Sequence, residues 1–478
     1  MAFVDREIEL RELRALSERA PALALLYGRR RLGKTFLLDH AWRDRRRFYF
    51  LAADTTSEMN RAELLRELTA WTGAEYPPED FSSWRQIFRA FLTLSEPEPL
   101  VVVLDEFQYL MGQPDDVVSQ LVAVWDREVR ARPLTLVLCG SEVAMMESLE
   151  AGDAPLYGRP NWSAKLRPFD YLDAQQMVPA RPLREAAYVY GVFGGTPRYL
   201  ATIDEGDDIA ERIIETVISP RGEVYLQLER LIEQEKGIRE PREYRAVLSA
   251  VAQGNTDTER IAAAAGLEDR KHVVVRALGV LSDLGLVWRE RNFGASERTP
   301  WENRIADNAV RFWYRFVHKN RSLVEVGQAA RVWSHRIEQY LDEYMGKVFE
   351  GMCREAFLRQ YEKWGLAAPV EWSRWEGQDR NRRSIEIDIV ARLDDQQIIT
   401  GEIKWSSQPV DVDVHFDHAR GLEDLAHSGQ AWAHEVLDPD RAGRRIYFSA
   451  SGFTRHFQER STTEGNIVLV DLQEMYSR

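Results

Sequence analysis

The sequence predicts a multidomain α/β chain: a parallel-sheet domain, a helical stretch, a winged helix-turn-helix outline and a second α/β domain. Three observations predict it. The chain has 478 residues, against roughly 100–200 for an ordinary domain. Its first 200 residues alternate short, continuous apolar runs with helical patterns, as parallel strands covered on both faces do. Its last third repeats that alternation with a separate set of strands, after a run of short helices separated by glycine. The expected boundaries are 1–200, 201–240, 241–300 and 301–478.

Taken in order, ALALLYG (22–28) reads as a strand, followed by a Gly-bounded loop and the helix KTFLLDHAW. RFYFLAA is a second strand, followed by a polar helix rich in Glu and Leu; PLVVVLDEF and LTLVLCGS are the third and fourth. From about 203 to 240 the pattern is helical and interrupted at Pro220. EYRAVLSAVAQG, TDTERIAAAAGL and RKHVVVRALGVLSDLGL then read as three helices before a strand pair beginning at VWRERNFG, a winged helix-turn-helix outline. Thr256 or Thr258 is the expected cap of the middle helix. The aromatic run RFWYRFV, with Phe312, Trp313, Tyr314 and Phe316, reads as core packing rather than a base-stacking platform. A long helix from about 334 to Tyr361 precedes strands SIEIDIVARL and QQIITGEIKW, a helix around 413–426, and strands RIYFSAS and NIVLVDL.

Composition narrows the function classes. Apolar residues make up 44% and charged residues 29%, enough for ordinary cores and incompatible with wholesale disorder. Lys and Arg number 63 against 77 Asp and Glu, a net charge of −14, so a blanket nucleic-acid coat is excluded and any polyanion must meet a local basic patch or a metal ion. Two cysteines, Cys139 and Cys353, are too few for a disulfide framework and fit a reducing, cytoplasmic compartment. The N-terminus is charged within ten residues, and no apolar run approaches the ~20 residues of a spanning helix.

The strongest motif is GRRRLGKT, comprising Gly28, Arg29, Arg30, Arg31, Leu32, Gly33, Lys34 and Thr35, with Phe36 continuing into the helix. It fits G-x-x-x-x-G-K-[ST] between an apolar strand and a helix. The glycines let backbone N–H groups curl around phosphate oxygens, Lys34 brings positive charge to the β and γ phosphates, the Thr35 hydroxyl serves as a Mg²⁺ ligand, and the helix N-terminus adds its dipole. The apolar strand ending in Asp105-Glu106 supplies the second half: Asp105 for the Mg²⁺ shell, Glu106 to polarise the attacking water. Ser141, after the next strand, is either a sensor of the γ-phosphate or a cap for the helix EVAMMESLE. Arg159 is a candidate arginine finger, with an ordinary surface arginine the preferred reading.

On these residues the chain resembles the archaeal-type ATPase family of P-loop proteins, within the broader AAA+ and STAND-like class. FVDREIELREL resembles that family's entry segment, and GVFGGTPRYL, with Gly195, Thr196 and Pro197, its Gly-x-Pro lid motif. The resemblance implies that Arg6 lies near the adenine, that Pro197 follows the bound nucleotide, and that a winged helix comes after the lid.

A second constellation spans 350–404. Glu350 falls on the long helix, Asp388 in SIEIDIV, and Glu402 and Lys404 in GEIKW, two apart and so on one face of a strand. Carboxylates converging on one spot repel unless a divalent cation neutralises them; Mg²⁺ or Mn²⁺ held by Glu350, Asp388 and Glu402 would activate water for phosphodiester attack, with Lys404 orienting the nucleophile or stabilising developing charge. The layout resembles the PD-(D/E)XK nuclease superfamily, whose aspartate Asp388 matches and whose ExK signature Glu402 and Lys404 match, without a proline before Asp388. The region also resembles the domain of unknown function often appended to archaeal-type ATPases, over nearly all of 301–478. SRWEGQDRNRRS, with Arg374, Arg380, Arg382 and Arg383, is a basic loop suited to a phosphate backbone or simply solvated. The winged-helix region carries six basic and six acidic residues over 256–291, which favours a packing or lid role over a DNA reader.

The whole reads as an ATP-binding and ATP-hydrolysing P-loop enzyme whose nucleotide state regulates a metal-dependent, nuclease-like C-terminal domain acting on DNA, in defence or DNA processing. The alternative is an ATP-gated DNA-binding or protein-binding regulator with a catalytically inactive nuclease-like scaffold; a third reading is a transcription regulator using the winged helix. ATP and Mg²⁺ are the expected cofactors, with Mn²⁺ an option at the C-terminal site. DNA is the expected partner with RNA left open, no membrane is involved, and a homo-oligomer or partner protein is compatible.

Overall fold

ALALLY, LVVVLD and LTLVLCG contain almost no side chain that needs water, so each can be covered on both faces. In the computed structural model every residue of these three strands is buried. The structure describes residues 4, 6–112, 116–129, 132–235, 238, 240–438 and 443–477. Strands β1 (Ala22–Tyr27), β2 (Arg47–Leu51), β3 (Leu100–Asp105), β4 (Leu134–Gly140) and β5 (Trp162–Lys165) form one sheet in the order β2-β3-β4-β1-β5, with every neighbouring pair parallel. Four of the five were legible as apolar runs. β5, WSAK, is short and only partly buried, so it carries no such run. β4 separates β1 from β3, and the loops leaving all three open at the same, carboxyl end of the sheet, where open α/β sheets place their ligands.

The chain divides into two compact units. The first is Met1–Pro168 with Thr196–Arg198 and Glu233–Arg239; the second is Phe169–Gly195, Tyr199–Ile232 and Glu240–Arg478. This division differs from a boundary at residue 200, because the helices Tyr171–Met177 and Leu183–Phe193 spend their polar side chains on the later part of the chain. Tyr171 OH donates to the Met475 carbonyl at 2.7 Å, Tyr190 OH donates to Glu355 at 2.8 Å, and Arg184 donates to the Ser406 carbonyl at 2.7 Å.

In the second unit, helices Pro241–Ala252, Thr258–Ala264 and Lys271–Asp283 precede an antiparallel pair, β6 (Val287–Glu290) and β7 (Glu302–Ile305). The middle helix is capped by Asp257, which accepts from Arg260 N–H at 2.8 Å; the residue at the N-cap position is the aspartate between Thr256 and Thr258, so neither threonine fills that role. Phe312, Trp313, Tyr314 and Phe316 are all buried, as core packing requires. The long helix is regular over Leu341–Gln360, with short helical turns before it.

A second five-stranded sheet follows: β8 (Pro369–Gln378), β9 (Ser384–Leu393), β10 (Ile398–Lys404), β11 (Arg445–Ser449) and β12 (Ile467–Asp471), ordered β12-β11-β10-β9-β8. β8, β9 and β10 run antiparallel, while β10, β11 and β12 run parallel. The helix Asp413–His427 lies in the crossover from β10 to β11. The stretch read as a basic loop is strand β8 as far as Gln378. Arg374 lies on that strand facing Glu290, Glu302, Glu376 and Glu386, so it is committed to carboxylates, while Arg380, Arg382 and Arg383 stand exposed at the turn.

Cys139 and Cys353 are buried free thiols. Among the described residues no helix is long and apolar enough to cross a membrane. At the middle of β10, Gly401 pairs with Ile446 of β11 so closely that a Cβ would run into the Ile446 carbonyl oxygen. Gly401→Ala is expected to destabilise the second unit by about 1–3 kcal/mol, read as an earlier urea transition by tryptophan fluorescence, with an unchanged midpoint counting against this packing.

Candidate functional site

At the carboxyl end of the first sheet, β1 runs into the loop of residues 28–33 and the helix Lys34–Ala41. Gly33 sits at φ 85°, a left-handed conformation that glycine adopts without penalty, and Gly28 approaches the Leu166 backbone at a distance that excludes a Cβ. Lys34 is buried, and its Nζ donates to the carbonyls of Gly28 at 2.7 Å and Arg29 at 3.1 Å, so the ammonium lies inside the curl of its own loop. Arg29 and Leu32 are buried, Arg30 donates to Tyr109 OH at 3.0 Å, Arg31 sits at φ 72°, and Phe36 is exposed.

Three donors from three elements converge on Asp105. The Thr35 hydroxyl donates to its Oδ2 at 3.1 Å, Tyr49 OH of β2 makes a close bond to the same oxygen, and the Glu106 N–H donates to Oδ1 at 2.8 Å. Burial, and then the bond to Asp105, push the Tyr49 phenol well above its ordinary range, so it acts as a donor and not as an acid. Thr35 and Asp105 thus present two hard oxygens side by side, the donor chemistry a Mg²⁺ ion requires.

Glu106 stands at φ 51°, a conformation that costs a non-glycine residue on the order of 1–3 kcal/mol and that clusters at functional sites. Its carboxylate accepts from Ser141 Oγ at 2.6 Å and from the Gln108 amide, which also donates to Ser141 Oγ at 3.2 Å. Ser141 is therefore bound to Glu106 and does not cap the helix Val143–Ser148, whose N-cap position is Glu142. Arg6 donates to the Arg167 carbonyl, and Pro197 opens the short helix Pro197–Leu200; Phe3 and Asp5 of the entry segment lie outside the described residues. Arg159 makes a two-pronged pair with Asp126 at 2.9 and 2.8 Å and donates to the Pro155 carbonyl, local contacts of the kind a surface arginine makes.

Glu235 belongs to the same unit although far along the chain. Burial pushes its carboxyl up to about 7, against the opposing charges of Arg29, Arg30 and Lys34.

The second sheet brings together Asp388 of β9 with Glu402 and Lys404 of β10. Lys404 Nζ donates to Glu402 Oε2 at 2.7 Å and to Asp388 Oδ2 at 3.5 Å, and the Ile403 N–H donates to Asp388 Oδ2 at 2.9 Å. Burial, reinforced by Glu402, pushes the Asp388 carboxyl up to about 7. Burial would raise Glu402 too, but the hydrogen bond and charge of His418, with Lys404, hold it below the ordinary carboxylate range. Glu350 pairs with Lys347 one turn back on its own helix at 2.8 Å and acts on Asp388 through its charge, without a hydrogen bond to it. Among the described residues no three His, Cys, Asp or Glu side chains form a metal cage. The expected three-carboxylate site is thus a two-carboxylate one, with an ammonium between the pair. Two carboxylates plus water is a normal donor set for Mg²⁺ or Mn²⁺, so the residues fit a hard cation without Glu350.

Sequence reasoning missed Tyr49, Gln108, Glu235, His418 and Thr400. Tyr49 was visible as a polar tip in an apolar strand, and His418, with His415, as an imidazole on a helix stripe continued by Leu422 and Leu425; Gln108 and Thr400 carry no motif, and Glu235 arrives from a separate stretch of chain.

Residues 3–203 match the family described as an ATPase domain predominantly from Archaea, and residues 313–416 match that described as Archaea bacterial proteins of unknown function. The second match covers less than the whole of 301–478. An uncharacterized protein of Methanocaldococcus jannaschii is 28% identical over 417 residues, covering 84% of this chain and 87% of the relative. A second uncharacterized protein of that organism is 34% identical over 91 residues, 19% of this chain and 87% of the relative. Among solved structures, the Walker-type ATPase of Pyrococcus abyssi is similar in fold, with a TM-score of 0.50 at 23% identity, covering 66% of this chain and 96% of that one. Residues 3–203 thus carry an archaeal-type ATPase domain, and the chain is similar over most of its length to the first Methanocaldococcus jannaschii relative.

Above pH 7 an ionised Glu235 sets a negative charge against the cations Arg29, Arg30 and Lys34 of the loop. ATP affinity is therefore expected to fall roughly fivefold, about 1 kcal/mol, between pH 6 and 8, and Glu235→Gln to flatten that dependence; equal slopes by calorimetric titration would remove Glu235 from this role.

Proposed function

We propose that this chain, an archaeal-type P-loop ATPase domain joined to a domain of unknown function, binds and hydrolyses ATP at the carboxyl end of its first sheet. The observation that carries the reading is the Thr35–Asp105 hydrogen bond of 3.1 Å beside a Lys34 ammonium held within the phosphate loop. The backbone N–H groups of 28–36 and Lys34 receive the phosphates. Thr35 and Asp105 would hold Mg²⁺, which when bound neutralises charge on the β and γ phosphates. Glu106 orients the attacking water and takes up its proton as the γ-phosphoryl oxygen bond to the β-phosphate breaks. Ser141 and Gln108, which hold Glu106 at 2.6 Å and by a close amide bond, report on whether that carboxylate is engaged. Arg6 and Pro197 flank the adenine on the strength of the family resemblance.

The C-terminal unit is read as a nuclease-like domain acting on DNA under nucleotide control. Support comes from the order of long helix, three antiparallel strands, helix and strand, and from Asp388, Glu402 and Lys404 meeting at adjacent strands. Asp388 and Glu402 would hold a divalent cation, which when bound lowers the pKa of a coordinated water. Lys404 steadies charge on the attacked phosphate, and the exposed Arg380, Arg382 and Arg383 provide the phosphate contacts. The Gly195-Thr196-Pro197 segment falls where the chain passes between the two units, which suits a nucleotide-dependent switch. The three helices and β6–β7 are read as a winged helix in a packing role. Arg270 and Lys271 pair with Glu243 and Glu259, and the loop after β6 is docked on strand β8 through Phe293 N–H to the Arg374 carbonyl at 2.9 Å.

One observation favours a second reading. An ammonium already pairs with both carboxylates, and an inactive scaffold serving an ATP-gated DNA-binding or protein-binding regulator would need nothing more.

Lys34→Ala is expected to abolish ATP binding, and Glu106→Gln to retain binding while losing turnover by about 100-fold or more; retained turnover in Glu106→Gln removes that residue from the mechanism. For the second site, Mg²⁺- or Mn²⁺-dependent cutting of DNA and RNA, with and without ATP, is expected to vanish in Glu402→Ala and Lys404→Ala. Absence of cutting by the unmodified chain would select the scaffold reading.

A further inference from the structure

The helix Asp413–His427 buries His415, His418, Leu422 and Leu425. That spacing is an inward stripe on which imidazole is out of place unless its nitrogens are satisfied. His418, whose side chain is wholly buried, meets the condition against β10: Nδ1 lies 2.9 Å from Glu402 Oε1, and Nε2 lies 2.9 Å from Thr400 Oγ1. An ionised carboxylate only accepts, so Nδ1 carries the hydrogen towards Glu402, while Nε2 bonds to the Thr400 hydroxyl, accepting from it in the neutral ring and donating to it in the charged one. Thr400 and Glu402 are two apart on one strand and share a face, so a single ring ties the carboxylate to its own strand. Glu402 is then held at both oxygens, Oε1 by His418 and Oε2 by Lys404. His415, one turn earlier, spends its ring on Tyr447 at 3.0 Å and Glu464 at 3.5 Å and does not bond to Asp388, Glu402 or Lys404.

We propose that His418 is a positioning residue of the C-terminal site: by fixing Glu402 Oε1 it turns Oε2 towards Asp388, so that the two carboxylates together receive a divalent cation. The inference rests on the reading of that site as metal-binding. Residues that orient metal ligands typically change affinity by about 10–100-fold when removed.

The test is Mn²⁺ binding to the full chain, measured by calorimetry, with Glu402→Ala as the reference for a destroyed site and circular dichroism melting to confirm folding. His418→Ala is expected to weaken Mn²⁺ binding by about 10–100-fold. His418→Asn, whose amide nitrogen falls where Nδ1 lies, is expected to recover most of it, and His418→Gln, whose amide matches Nε2 instead, to recover little. Thr400→Val, which removes the ring's second anchor at nearly constant volume, is expected to weaken binding to a smaller degree and serves if His418→Ala does not fold. His415→Ala is expected to leave the affinity unchanged. If cleavage is observed, the Mn²⁺ concentration for half-maximal rate should rise in His418→Ala while the rate at saturating Mn²⁺ changes little. Mn²⁺ binding that is lost in Glu402→Ala but intact in His418→Ala overturns the role of His418 alone. No Mn²⁺ binding by the unmodified chain overturns the metal reading, and this inference with it.

Discussion

Asp105 is the point on which the N-terminal site depends. A carboxylate at the end of a fully buried strand is costly unless its oxygens are satisfied. Here Thr35, Tyr49 and the Glu106 N–H satisfy them from the helix after the phosphate loop, from the neighbouring strand and from the next residue. That one convergence pins the start of the helix Lys34–Ala41 to the end of β3, with β4 lying between β1 and β3 in the sheet. It therefore sets where the loop of residues 28–33 can curl and where Lys34 must sit. It also determines the next residue: with Asp105 held, the chain turns through a left-handed Glu106 and delivers its carboxylate to Ser141 and Gln108.

The C-terminal site answers a comparable problem by different means. Two carboxylates on adjacent strands are brought together in a half-closed environment, and the charge that relieves them is an ammonium from the same strand as one of them. The two acids do not share this relief equally. Glu402 receives an imidazole and an ammonium and stays ionised readily, whereas Asp388 receives one backbone N–H and the far side of Lys404 and is pushed up by burial. Such an inequality between neighbouring acids is common where a site is built for chemistry, and structural ion pairs produce it as well. The donor set and its order in the fold, which a structural ion pair does not require, are what distinguish this site.

Much of both sites was legible along the chain because each is carried by a local pattern. The phosphate loop, the Asp105-Glu106 strand end and the Glu402–Lys404 pair are all readable within ten residues, and strands such as ALALLY and SIEIDIVARL announce themselves by apolar runs or alternation. The failures share a cause. β5 and β8 have no such run; β8 is an edge strand that carries exposed charges and a Trp-Glu-Gly stretch, so its polarity resembled a loop. Glu350 was placed by its position on the helix, but a lysine one turn away offers it a nearer partner.

The sequence by itself determined the two chemistries, phosphate binding by a glycine-bounded loop and carboxylates paired with a lysine, because spacing along a strand or turn decides which groups share a face. Only the tertiary structure decided which groups keep company across the chain: that the helices Tyr171–Met177 and Leu183–Phe193 are built into the second unit, that Glu235 comes within electrostatic reach of Arg29, Arg30 and Lys34, and that His418, rather than Glu350, completes the surroundings of Glu402. Those are meetings between residues tens to hundreds of positions apart. They follow from how buried polar groups find partners once the sheets are formed, and no local pattern encodes that.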